Sequence, residues 1–102
     1  MFELHFTPQA DEDIAYFKKT GNKAAMNKLK VLLFELMEHP TTGTGKPEML
    51  KGNLSGLYSR RIDKKNRLIY SINGDKLLVV IVAAAGHYEN IKKSKKTTNR
   101  EK

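Results

Sequence analysis

Residues 57–85, LYSRRIDKKNRLIYSINGDKLLVVIVAAA, decide the fold. Three apolar-rich runs, LYSRRI (57–62), RLIYSI (67–72) and KLLVVIVAAA (76–85), are separated by polar turn residues, the pattern of consecutive strands. Asn73-Gly74, between the second and third, marks a hairpin. In the first hairpin Ile62, Leu68, Tyr70 and Ile72 share the core face. Pairing Ile62 with Leu68 requires an odd-length loop, for instance Lys64-Lys65-Asn66 with Asn66 in the left-handed conformation of three-residue hairpins. That register sends Arg61 and Arg67 together to the opposite, open face. The last run is apolar on both faces, so its strand is expected at the centre of the sheet.

Working outward, MFELHF (1–6) alternates, with Phe2, Leu4 and Phe6 on one side and Glu3 and His5 on the other, which reads as a further strand. Thr7-Pro8 supplies a helix cap and a proline at the first helical position, and Asp11, Glu12 and Asp13 follow where the helix dipole favours carboxylates. Ala10, Ile14 and Phe17 make the apolar stripe of this helix, which Gly21 ends. Asn22 caps a second helix, with Met26, Leu29, Leu33 and Leu36 as its stripe and Leu32 and Met37 widening it, stopping before Pro40. TTGTGKP (41–47) is a loop by its composition. The expected fold class is α+β: two N-terminal helices packed on one face of a small, twisted, mainly antiparallel sheet whose other face is free. Residues 1–88 form the domain. Residues 89–102, ENIKKSKKTTNREK, carry one apolar side chain and are expected to be a basic, mobile tail.

The chain has 102 residues and is 39% hydrophobic, which suits one core and leaves no room for a second. Nineteen Lys and Arg against eleven Asp and Glu give a formal net charge of +8, and the pI is near 9.8. Such a surplus favours a polyanionic partner, either nucleic acid or an anionic membrane. The longest apolar run, LLVVIVAAAG, is half the ~20 residues a spanning helix needs, so membrane insertion is not expected, and no membrane is counted among the expected partners. The N-terminus lacks the basic start and apolar stretch of a signal peptide, and there is no cysteine. A soluble, cytoplasmic protein is expected.

Within GKPEMLKGNLSGLYSRR (45–61), Lys46, Lys51, Arg60 and Arg61 surround one carboxylate, Glu48. The last strand ends in Gly86, His87 and Tyr88. On or near the open face, then, are Glu48, Lys51, Arg61, Arg67, His87 and Tyr88. These residue types fit metal-free RNA cleavage. A base takes the proton of a ribose 2′-OH, cations stabilise charge growing on the phosphate, and an acid protonates the departing 5′-oxygen. Glu48 can be the base, Lys51, Arg61 and Arg67 the clamp, His87 the acid and Tyr88 a surface for a base to stack on. Taken singly, each has a plainer reading: a loop carboxylate, solubilising arginines on an exposed sheet face, a histidine at a strand end. His5 and His39 are read in that plainer way, and Asp11-Glu12-Asp13 as helix-start electrostatics, because consecutive helical residues do not converge on a metal.

The run GKPEMLKGNLSGLYSRRIDKKNRLIYSI with the later His87-Tyr88 resembles the RelE/YoeB family of bacterial type II toxins, on the YoeB side. The match is dense over 45–72 and 86–88, and the strand–helix–helix opening fits in order and length. The resemblance implies a ribosome-dependent endoribonuclease that cuts messenger RNA in the ribosomal A site, with a microbial-RNase-like fold and neither metal nor cofactor. It assigns the base to Glu48, the main transition-state cation to Arg67 and the closing acid to His87. Lys51, Arg61 and Tyr88 become RNA- and phosphate-binding. Its implied partners are ribosome and message, an acidic YefM/Phd-like antitoxin, operator DNA only through that antitoxin, and a second copy of the chain. The tail departs from the family pattern. Two other readings stand beside this one: a toxin of the same superfamily that poisons a topoisomerase without chemistry, and a basic RNA-binding module that only docks.

Overall fold

The computed structural model describes residues 1–85; His87, Tyr88 and the 89–102 tail lie outside the described residues. The described residues form five strands and two α-helices: β1 (Glu3–Phe6), α1 (Pro8–Lys19), α2 (Lys23–Glu38), β2 (Glu48–Met49), β3 (Tyr58–Arg61), β4 (Arg67–Asn73) and β5 (Leu78–Ala83). They form one sheet in the order β1-β5-β4-β3-β2, with β1 parallel to β5 and every other pair antiparallel. The strand apolar on both faces is internal, as its composition requires. No helix among the described residues is long and apolar enough to cross a membrane.

Both helices start as their caps dictate. Thr7 Oγ1 accepts from the Ala10 N–H (3.1 Å) and Asn22 Oδ1 from the Ala25 N–H (3.1 Å), each satisfying a donor that the first turn leaves without a partner. Pro40 disfavours the helical conformation at His39, where α2 ends at an extended φ of −139°. The helices lay Ala10, Phe17, Ala25, Leu29, Leu32 and Leu36 against Ile62, Leu68, Tyr70, Val79, Ile81 and Ala84. Burying a large apolar side chain is worth about 1.5–3 kcal/mol, so this layer is the main source of stability.

The β3–β4 register corrects one expectation. Arg60, not Ile62, lies opposite Leu68, while Ile62 donates its N–H to the Asn66 carbonyl (3.0 Å). Asn66 is not left-handed either; among the described residues the non-glycine ones with positive φ are Lys46 and Leu77. Asp63 makes the difference. Its Oδ1 accepts from the N–H groups of Lys65 and Asn66, both at 2.8 Å, closing an Asx-type turn that needs no left-handed residue. The Asn73-Gly74 hairpin forms, but Asn73 pairs with Leu78, so the loop has four residues and its left-handed position falls on Leu77.

The second face of the sheet is not wholly free. Residues 50–57, including a 3₁₀ turn at Gly52–Leu54, fold beneath it. There Leu50 and Leu54 bury themselves with Ile69 and Ala83, flanked by Leu57 and Val82. A register shift of β4 against β5 at Ile69/Tyr70 brings both Val82 and Ala83 into this cluster. Among the described residues, the end of the face toward Glu48, Arg61 and Arg67 stays uncovered.

Candidate nucleic-acid interface

Strand alternation divides the basic run in two. Tyr58, Arg60 and Ile62 face the helices, whereas Ser59 and Arg61 face away from them, with Arg67 and Ile69 of β4 on the same side. Arg61 lies directly opposite Arg67. Because Ile62 and Asn66 form the neighbouring hydrogen-bonded step, the two arginines occupy a non-hydrogen-bonded pair, whose Cα atoms approach to about 4.5 Å. Like charges at such a position repel. Arg67 is steadied by a bond from its Nη1 to the Asp63 carbonyl oxygen (3.1 Å). The Asp63 carboxylate is bonded within its own turn. Burial resists its ionisation, but hydrogen bonds from Asn66 and from the backbone N–H groups of Lys65 and Asn66 hold it below the usual carboxylate range.

Glu48 enters from the edge. β2 sets it opposite Ser59, two residues from Arg61 on the same face, a diagonal separation of about 7–8 Å. Ser59 is buried and Ile69 fully so, and together they floor the space between carboxylate and guanidinium. Lys51 is exposed at the start of the turn that covers the neighbouring stretch of sheet. The structure therefore brings Glu48, Arg61 and Arg67 together on one face, with Lys51 beside them. Among the described residues the ion pairs are His5–Glu3 and Arg60–Glu35, so none of these four is neutralised by one. No three His, Asp or Glu side chains among the described residues converge as a metal site would require.

Arg60 does not belong to that cationic surface, although it stands in the same basic run of the sequence. It is fully buried on the helix side. Its Nε donates to the Tyr70 hydroxyl (3.1 Å), Nη1 to Glu35 Oε1 (2.9 Å) and the Thr44 carbonyl (3.3 Å), and Nη2 to the carbonyls of Thr42 (2.6 Å) and His39. The Tyr70 hydroxyl in turn donates to the Pro40 carbonyl (2.9 Å). Burial raises the Tyr70 pKa, so the phenol stays a donor. Glu35 is held below its ordinary range, first by the Thr44 hydroxyl and N–H and then by Arg60. The alternation of LYSRRI already contains this: the residue midway between Tyr58 and Ile62 points at the core, and a charge there needs a buried partner.

Asp13 does more than complement the start of a helix. Its Oδ2 accepts from the N–H groups of Ala84 (2.9 Å) and Ala85 (3.2 Å), and its Oδ1 from Gln9 (2.9 Å). Thr7 Oγ1 donates to the Val82 carbonyl (2.8 Å). The start of α1 thus grips the end of β5, the segment leading to His87.

Comparison with known proteins gives a consistent picture. Residues 6–88 match the family model described as the YoeB-like toxin of bacterial type II toxin–antitoxin systems. A YoeB toxin of Mycobacterium bovis is 39% identical over 88 residues, which span 86% of this chain and all of that protein. The YoeB/ParE toxin of Agrobacterium tumefaciens superposes with a TM-score of 0.79 at 29% identity, over 85% of this chain and 100% of that one. The toxin in the heterotetrameric YoeB–YefM toxin–antitoxin complex of Staphylococcus aureus gives 0.73 at 37% identity, over 86% and 99%.

Proposed function

This chain belongs to the YoeB-like toxins of bacterial type II toxin–antitoxin systems, and from that premise we propose that it is an endoribonuclease that cuts messenger RNA in the ribosomal A site. The observation that carries this reading is the facing pair Arg61 and Arg67 with Glu48 diagonal to it. Two guanidiniums held against each other cost stability, and a phosphate between them relieves the repulsion. A docking module would gain from the arginines but not from Glu48, whose charge opposes phosphate binding.

In the proposed reaction Glu48 accepts the proton of the ribose 2′-OH, and the oxygen attacks the adjacent phosphorus. The bond from phosphorus to the departing 5′-oxygen breaks, leaving a 2′,3′-cyclic phosphate. Arg67, with Arg61 and Lys51, stabilises the charge gathering on the phosphoryl oxygens. His87 protonates the 5′-oxygen, and Tyr88 stacks on a nucleotide. No step calls for a metal. The partner that silences the reaction is an acidic antitoxin of the YefM type, covering the face that bears Arg61 and Arg67; the similar YoeB toxin of S. aureus forms a complex with YefM.

The test is a map of cuts on a translated message, with and without ribosomes. Glu48→Gln should lower the single-turnover rate by about 10²–10⁴-fold and Arg67→Ala by about 10²–10³-fold, with ribosome affinity little changed. A single 2′-deoxy nucleotide 5′ to the cut should abolish cleavage. Cleavage of that substrate would exclude the 2′-OH mechanism. Undiminished toxicity of both variants would favour a binding poison instead.

A further inference from the structure

Glu48 stands on a strand of two residues. Two ladder positions cannot hold a register by themselves, and in a strand a slip of one residue turns every side chain to the other face. Something outside β2 must therefore keep Glu48 opposite Ser59. On its C-terminal side this is done by the Leu50 N–H to the Leu57 carbonyl (2.8 Å) and by burial of Leu50 and Leu54. On its N-terminal side the Arg61 N–H donates to the Gly45 carbonyl (2.7 Å). Gly45 has φ +83°, and a Cβ there would lie 2.9 Å from the Arg61 carbonyl oxygen, so only glycine permits this approach. Immediately before it, Glu35 of α2 takes the Thr44 N–H on Oε1 (2.7 Å) and the Thr44 hydroxyl on Oε2 (2.6 Å), and also pairs with buried Arg60. Arg60 sits between Ser59 and Arg61, the two residues that β2 and Gly45 pair with.

We infer that Glu35, acting through Thr44 and Arg60, is a positioning residue for Glu48: it latches the α2–β2 loop so that β2 docks in the register that aims Glu48 at the arginine pair. The inference rests on the catalytic reading of Glu48, but the latch itself can be tested apart from it. Glu35→Gln keeps the shape and removes the charge, and Thr44→Val removes one hydroxyl, a milder change should Glu35→Gln fold poorly. Single-turnover cleavage on pre-bound ribosomes should fall by at least about tenfold in both, since a misplacement of ~1 Å can cost about 10²-fold, with ribosome affinity unchanged. Glu38→Gln, at the exposed end of the same helix, should be silent. In a Glu48→Gln background, Glu35→Gln should cause no further loss; a full, multiplicative loss would mean general loosening and overturn the inference. The cross-strand nuclear Overhauser contact between Glu48 and Ser59 should weaken in Glu35→Gln. An intact contact with a wild-type rate would also overturn it. If the wild-type protein cuts no translated message, the proposed function fails, and that cross-strand contact alone decides the latch.

Discussion

Arg60 and Arg61 are adjacent, chemically identical and opposite in role. Alternation turns Arg60 into the core, where its guanidinium is matched by four oxygens of the α2–β2 loop and Glu35, and by the Tyr70 hydroxyl. Arg61 is turned outward against Arg67 with no such partner in the ion pairs described. The first stabilises the fold; the second is held against a like charge. Replacing Arg61 by threonine, a good strand former, should therefore raise stability by about 0.2–1 kcal/mol while weakening RNA cleavage. Thermal denaturation and a cleavage assay on the same sample check both signs. A variant that lost stability as well would mean that Arg61 has a structural partner, and the pair would no longer mark an anion site.

Helix α1 has two tasks, and its acidic start serves the less obvious one. Asp11 is exposed in the first turn, where it complements the dipole, but Asp13 is buried and caps the exit of β5 through the Ala84 and Ala85 N–H groups. Asp13→Ala leaves the N–H of Ala84, itself fully buried, without its acceptor, at a cost of about 1–3 kcal/mol. Asp11→Ala should stay within about 0.5 kcal/mol of wild type. Chemical denaturation of the two variants separates these cases. Equal effects would return Asp13 to simple helix-start electrostatics.

Across the whole molecule, the net charge of +8 is split evenly between the domain and residues 89–102, where six cations stand against two carboxylates. A cationic segment of that kind gains affinity for a polyanion by releasing counterions, each contact adding about 0.7 to the log–log salt slope for single strands. Phosphate contacts position a protein without specifying sequence. Truncation after Tyr88 should therefore weaken ribosome binding and flatten its salt dependence, while cut positions and single-turnover rate stay nearly the same. Binding assays across a salt series and single-turnover kinetics check this. A collapsed rate with intact binding would mean that 89–102 supports the reaction itself.

The sequence by itself determined the elements and their faces. Thr7-Pro8, Asn22 and Pro40 mark the helix ends by local chemistry. The alternation of LYSRRI and RLIYSI puts Arg61 and Arg67 on one side whichever register the hairpin adopts, provided the parity is kept. The two-sided apolar run placed β5 inside the sheet. Local signals also sufficed for the residue types around Glu48, and the family resemblance for their proposed roles. Only the tertiary structure decided what depends on partners distant along the chain. The folding of 50–57 beneath the sheet closed part of a face expected to be free. The hairpin register is a local matter by contrast, set by the Asx turn of Asp63 over Lys65 and Asn66. Edge strand β2 has too few residues for any periodicity to show. Asp13 reaches Ala84 across 71 positions and Arg60 reaches Glu35 across 25. A charge destined for such a distant partner looks, in the chain, like any other charge. Periodicity reports which way a side chain points, and only packing reports what it meets there.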